Sequence, residues 1–426
     1  MVFNVQNYGA LPNGSLCTKG IQSAIDECFK AGGGKVVVPT GTYLVGCIRL
    51  RSGVTLHLLE DAVLMGSIDP EDYVDYINDE VEPISEELRE KTVDTVVPGY
   101  SSRSAMPFSR WNNAIIRAYC ADNIAIIGEK GSEINGRNCF DEVGEEKYRG
   151  PHAINMWFCH NVELRGYTVR DSANWAHAIQ NSSDIHVSKI TVLGGHDGFD
   201  IRTCDRVLVE NSVFRSGDDC IAGFDNIDVV IRNCIFDCAC SWLRFGGTDV
   251  LVENCEGIAP STYGFRGSLT EEEKRSRADT HENCRHTCHN SFLYYCDNRA
   301  DVRKTPGNIL IRNCRFKNPN AVMNLPFGRL WCTNRSLHDL TFERCVFEGI
   351  SMTGVLSCPP EEPFHLLMKD CKITPREGYE SIAIFSGTGV GSITLENVAI
   401  EGFTEPCIKT PGATVTVTGG TPVLCE

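Results

Sequence analysis

The amino-acid sequence predicts an all-β fold, a single right-handed parallel β-helix over residues 1–426, and three observations carry that prediction. A short motif of alternating apolar residues recurs at a near-constant interval. Only one segment, close to the N-terminus, has a convincing helical period. Cysteines and asparagines recur at fixed points of the motif, as stacked coils require.

The motif is clearest in DIHVSKI from Asp184, RVLVENS from Arg206, DVVIRNC from Asp228, DVLVENC from Asp249 and NILIRNC from Asn308. Weaker copies start at Asn123, Asn161, Asp339, Leu366 and Ser392. The first apolar residue of five consecutive copies is Val162, Ile185, Val207, Val229 and Val250, at intervals of 23, 22, 22 and 21 residues. Short alternating strands at this period are the signature of a solenoid, and the missing LxxLxL core disfavours the leucine-rich kind. Stacking then makes Cys234, Cys255, Cys314, Cys345 and Cys371 an interior column in which cysteine serves as a small hydrophobe. Asn211, Asn233, Asn254, Asn313 and Asn397 precede related points and suggest a turn ladder of stacked amides that bond the backbone.

A solenoid needs its open end covered. IQSAIDECFKAGG supplies an amphipathic helix for this, with Ile21, Ala24, Ile25 and Cys28 on one face and glycines 32–34 ending it. Two stretches interrupt the repeat, at about 69–111 and 259–307, and insertions of this length shape a binding cleft.

With 56 acidic and 40 basic residues the net charge is −16, which argues against nucleic acid as a partner. No run of about 18 apolar residues suggests a membrane span, and MVFNVQNYGA lacks the pattern of a signal peptide. The expected location is the cytoplasm, with the 22 cysteines reduced, unless a leader has been removed. Cys284 and Cys288, with His281, His286 and His289 around them, lack a second pair at zinc spacing, so a polar loop is the better reading. Neither a metal nor another cofactor is called for.

Two consecutive repeats end in carboxylate clusters, GGHDGFD and SGDDCIAG. Asp197 lies ten residues after Val187 and Asp219 ten after Val209, so the two are predicted to stack on adjacent coils, with Asp218 beside them and Asp200 three residues on from Asp197. Carboxylates at such spacing are costly unless a metal, a proton or a function compensates. Paired-carboxylate glycoside hydrolysis is one such function, and a calcium site or solvated turn aspartates are the alternatives.

These residues carry a resemblance. SGDDCIAG, the preceding HDG turn, VPTGTYLVG at Val38, YCADNIAIIGEKGSEING and the VRDSANWAH stretch are similar, in collinear order, to the polygalacturonase-like glycoside hydrolases of family 28. The resemblance implies a pectin-lyase-like β-helix and hydrolysis of a glycosidic bond with inversion. It gives Asp218 the role of general acid and Asp197 and Asp219 that of activating water. Acid and base in an inverting enzyme stand about 6.5–9.5 Å apart to admit that water.

The departures from the family pattern are equally specific. Cys240 and Ser241 stand where the family has a central His-Gly, Ser268 where it has the lysine of RIK, and Phe224 at another usual lysine; Arg266 matches the arginine. Losing cations that bind a uronate carboxylate puts ordinary polygalacturonan in question. Arg244, in register with Asp200, is expected to pair with it or to replace a lost cation. Trp175 and His177 are read as exposed groups suited to sugar stacking and hydrogen bonding, and His196 joins them as a substrate-binding candidate. Tyr294, Tyr295, Arg299, Arg303 and Trp331 are possible subsite residues. The sequence thus points to an exo-acting glycosidase of an oligo- or polysaccharide, with galacturonic acid or a neutral α-galactosyl unit as the sugar. A non-catalytic carbohydrate-binding β-helix and a lyase are the competing classes.

Overall fold

The computed structural model describes residues 1–73, 110–277, 281–296, 302–329, 332 and 335–425. Most of the 69–111 insertion lies outside these, as do residues 278–280 and 297–301 of the second insertion, including Arg299, and Trp331. The chain forms two compact units, one of residues 1–200 with 266–284 and one of residues 201–265 with 285–426. Each consists of short parallel strands stacked coil upon coil, a parallel β-helix.

In the first unit the helix Thr18–Lys30 presents Ile21, Ala24, Ile25 and Cys28, all at 0 % exposure, and packs on the strands Val2–Asn4 and Gly34–Val38. Gly32 and Gly33 end it at φ 86° and 98°, which a side chain resists. Because alternate residues of a strand point inward, register fixes the core as columns. One column runs Val36, Leu56, Ile126, Leu164, Val187, and another Tyr43, Leu64, Ile134, Val169, Val192. A third runs Ile48, Ile116, Ile154, His177. The histidine therefore occupies an inward position.

The second unit continues the same logic. Val207, Val229, Val250, Ile309, Leu340 and Leu366 form one column. Phe214, Phe236, Gly257, Phe316 and Phe347 form another, and its single gap is filled sideways by Trp242. A Cβ at Gly257 would stand 2.6 Å from the indole, which stacks on Phe316 at 5.4 Å. The predicted cysteine column is present. Cys234, Cys255, Cys314, Cys345 and Cys371 are buried and reduced, and each thiol donates to the carbonyl two residues before it at 3.2–3.5 Å.

The asparagines serve a different purpose from the one expected. Asn211, Asn233, Asn254 and Asn313 lie at φ 53–55° and Asn397 at 52°, left-handed turn positions that asparagine tolerates better than most residues. Arg344 and Asp370 take the same conformation in other coils. Coil-to-coil bonding runs through the main chain, from the N–H of Asn211 to Arg232 O, of Asn233 to Glu253 O, of Asn254 to Arg312 O and of Asn313 to Glu343 O, at 3.0–3.2 Å. Within this series Asn233 donates to the Asn211 amide oxygen at 3.4 Å, while Asn313 accepts from Arg344 and Asn397 donates to Asp370. No helix among the described residues is long and apolar enough to cross a membrane.

Replacing Phe316, stacked between Trp242 and Phe347 at 5.4 and 5.3 Å, by alanine should lower unfolding free energy by about 3–5 kcal/mol. Cys234→Ser should cost only about 1 kcal/mol, because the hydroxyl inherits the bond to the Arg232 carbonyl at 3.2 Å. Urea titrations that show equal losses would contradict these packing roles.

Candidate active site

Each carboxylate cluster sits in a turn between two strands. In the first unit, Asp197 follows the strand Thr191–Gly194, and its carbonyl accepts from Ala176 N at 2.8 Å. Its side chain is 2 % exposed, and the preceding His196 is 3 % exposed. The turn is tight against a second segment. Arg266 N donates to Gly195 O at 3.3 Å, and a Cβ at Gly195 would collide with the Arg266 side chain. Arg266 itself is buried. Burial, with the charges of Arg149 and Arg266 behind it, holds His196 well below the usual histidine range, so its ring is neutral.

The expected sugar-facing pair is not exposed. His177 is fully buried, bonded through Nε2 to Tyr167 Oη at 3.1 Å and through Nδ1 to Gly198 O at 3.0 Å, and burial lowers its pKa to about 4. Trp175 is 5 % exposed, edge-on to Trp111 at 6.1 Å and against His152 at 5.3 Å. Both are packing residues. The register with Ile154 that sends His177 inward is the reason. Asp200 is likewise fully buried.

In the second unit, Asp218 and Asp219 lie between the strands Val213–Ser216 and Ile221–Arg232. Asp219 is 3 % exposed and is held from two sides, since Ser241 N donates to Oδ1 at 2.9 Å and Arg244 Nε stands 2.9 Å from Oδ2. Burial pushes its pKa up to about 7 against the pull of Arg244, and the charge of Asp218 adds to the rise. Arg244 is thus a partner of Asp219, and its guanidinium lies over the Tyr295 ring at 4.5 Å. Tyr294 and Tyr295 are buried, and Arg303 clamps Asp225 and Asp205, so these three are structural rather than subsite residues.

In the turn of the following coil, Cys240 is held by Arg285, which the sequence reading does not single out, and by His289. Arg285 Nη2 donates to Cys240 Sγ at 3.0 Å and Nη1 to Thr287 O at 2.9 Å, with the guanidinium over Phe265 at 5.0 Å. The backbone N–H of His289 donates to Cys240 O at 2.6 Å. Burial, with the charges of Asp218 and Asp219, raises the Cys240 thiol well above its ordinary range, so Cys240 is a neutral thiol beside acids. The signal for Arg285 and His289 lies in RHTCHN, whose spacing reads as a polar loop rather than a zinc site and does not by itself show what the loop touches.

Residues 103–238, which include all three aspartates, match the model of the glycosyl hydrolases family 28. The chain is 27 % identical over 229 residues to a "Probable polygalacturonase" of Vitis vinifera, covering 51 % of this chain and 43 % of that protein. It is 27 % identical over 253 residues to an exo-poly-alpha-D-galacturonosidase of Dickeya chrysanthemi, covering 52 % and 41 %. The matched part therefore spans about two fifths of the length of these relatives. In fold it is similar to a hyperthermoactive exopolygalacturonase from Thermotoga maritima (TM-score 0.65, 15 % identity, 94 % and 92 % covered) and to a family 28 exopolygalacturonase of Yersinia enterocolitica (0.61, 17 %, 99 % and 79 %). The chain is thus similar, over residues 103–238, to the glycosyl hydrolases of family 28, and its fold is that of a parallel β-helix.

Arg244→Met would leave the buried Asp219 carboxylate without its ion-pair partner. Unfolding free energy should fall by about 3 kcal/mol at pH 8, and by less at pH 5, where a group of pKa about 7 is already protonated and needs no partner. A pH-independent loss, measured in denaturant titrations, would exclude the ion pair as the cause.

Proposed function

We propose that this chain is a polygalacturonase-like glycosidase, exo-acting and inverting, that releases an α-linked galacturonic acid or galactose-type unit from an oligo- or polysaccharide. Asp218 is assigned as general acid, and Asp197 and Asp219 as the pair that activates water. The observation that carries the reading is the contrast between neighbours in one turn. Asp219 is buried and fixed by Arg244 and Ser241 N, whereas Asp218, next to it, is only partly buried. Adjacent carboxylates in unlike environments suit unlike roles, one oriented and one able to meet a leaving oxygen.

A base must be ionised to act, and Asp219 has a pKa of about 7. Activity should therefore rise with pH through about 7, and Asp219→Asn should remove that limb along with most of the rate. A profile that falls through 7 would instead make Asp219 the proton donor and exchange the two roles.

Leaving-group dependence separates them independently. Asp218→Asn should cost most on substrates with poor leaving groups and far less on aryl glycosides that need little protonation. Asp197→Asn and Asp219→Asn should slow both kinds alike. A non-catalytic carbohydrate-binding protein would show no hydrolysis in a screen of aryl glycosides and pectic oligosaccharides, and NMR of the released anomer tests inversion.

An exo-acting enzyme releases reducing sugar from pectic polymer with little early loss of viscosity. A fast viscosity drop with little reducing sugar would show internal cleavage.

A further inference from the structure

We propose that Ser241, Asn290 and Asn324 are positioning residues for the proposed base. They form a one-way chain of hydrogen bonds, started by the backbone N–H of Val355, that points a donor at the Asp219 carboxylate, orients it and stabilises its charged form. The proposal rests on the glycosidase reading, in which Asp219 activates water, and adds to it three residues that act through that carboxylate.

Register builds the chain. On the parallel strands Ser241–Glu253, Asn290–Tyr294 and Ala321–Pro326, Ser241 stands opposite Asn290 and Leu293 opposite Asn324. Leu325 stands opposite Leu356 of the strand Gly354–Ser357, which brings Asn324 to Val355. All four strands belong to the second unit. Ser241 N donates to Asp219 Oδ1 at 2.9 Å. Asn290 Nδ2 donates to Ser241 Oγ at 3.4 Å, Asn324 Nδ2 to Asn290 Oδ1, and Val355 N to Asn324 Oδ1 at 2.6 Å. Ser241 and Asn290 are buried, so an amide turned the wrong way there would leave a polar group facing its like.

The far end decides the direction. A main-chain N–H can only donate, so the Asn324 atom that meets Val355 is its oxygen, and its amide nitrogen is left to face Asn290. Asn290 then accepts through Oδ1 and offers Nδ2 to Ser241 Oγ. The hydrogen of that hydroxyl is left to donate onward, and the side-chain hydrogen bond of Ser241 is one of the forces that favour the charged form of Asp219 against its burial. Each link polarises the next, most strongly where water is excluded. The charged and titratable groups around Asp219 are Asp218 on its own turn, Cys238, Cys240 and Arg244 on the next coil, and Arg285 and His289 beyond Cys240. Ser241, Asn290 and Asn324 are uncharged, so the chain alters the proton affinity of Asp219 without adding a charge of its own.

The pH–rate profile of the full chain on an aryl galacturonide or galactoside tests the chain of bonds. Ser241→Ala removes the last donor and keeps Ser241 N, so the rising limb should move up by about one pH unit, a tenfold loss at a fixed pH on the limb. Ser241→Thr, which keeps the hydroxyl, should leave the limb in place. Asn324→Asp is the sharper variant. It can still accept from Val355 N but has no amide hydrogen to give, so Asn290 turns over, the Ser241 hydroxyl turns from Asp219 to Asn290 Oδ1, and the limb should again move up by about one unit. The new charge stands three coils, about 14 Å, from Asp219. Salt at about 1 M, which screens within about 3 Å, should weaken a shift due to that charge and spare one carried by the bonds. An unmoved limb in either variant overturns the proposal, as does an Asn324→Asp shift that vanishes in salt. A lower thermal transition with no shift would make these residues merely structural and overturns it too. If Ser241→Ala fails to fold, Asn324→Asp decides. If no glycoside is hydrolysed, the glycosidase reading falls alone, and carbon-13 NMR of the aspartate carboxyls tests the chain. The Asp219 resonance, identified by its loss in Asp219→Asn, should then titrate about one unit higher in Ser241→Ala, and an unchanged midpoint overturns the proposal.

Discussion

The core columns and the carboxylate turns of this chain depend on lateral register between successive coils. Parallel strands about 4.8 Å apart repeat whatever stands at one point of a coil at the same point of the next. An apolar residue so repeated builds a column, and the run from Val207 to Leu366 is one. The left-handed turn residues preserve that register. Each lets the chain turn a corner at φ near 53° while its N–H still reaches the neighbouring coil. The cost of a left-handed residue is small for asparagine and is offset by the main-chain bond that the N–H makes at Asn211, Asn233, Asn254 and Asn313.

The same repetition that builds the core places charge under constraint. A turn residue cannot be moved without moving its coil, so an acid in such a turn is oriented by whatever the next coil presents. Asp219 shows the result. Its two oxygens meet Ser241 N and Arg244, both from the following coil, and the coil after that supplies Tyr295 beneath the guanidinium. Burial outweighs the ion pair in setting its proton affinity, which is why this carboxyl titrates near neutrality although an arginine touches it. A surface aspartate with the same partner would have moved in the opposite direction.

How much of this was legible in the sequence follows from which features are periodic. The columns, the capping helix and the cysteine stack were, because each leaves a spacing. Cys234 to Cys371 are buried as the spacing required. The carboxylate turns were visible for the same reason, and so was the arginine of the next coil, although spacing specifies a coil and not which acid of a turn a long side chain reaches, here Asp219. His177 and Trp175 were misjudged because the coil they belong to is less regular, and a one-residue difference in register decides between core and surface. Arg285 and His289 left no periodic trace at all. They come from an insertion whose course depends on contacts, such as that of Arg285 with Cys240, rather than on repetition.

Charge in this chain acts over two ranges. A net charge of −16 repels a polyanion at long range, but salt at physiological strength confines that repulsion to about 8 Å. Inside that distance contacts decide, and the pair of Arg244 with the buried Asp219 carboxylate at 2.9 Å is one that screening hardly reaches. The charge state of the carboxylate turn is therefore set by how each acid is buried and paired in its own coils rather than by the sum over the surface.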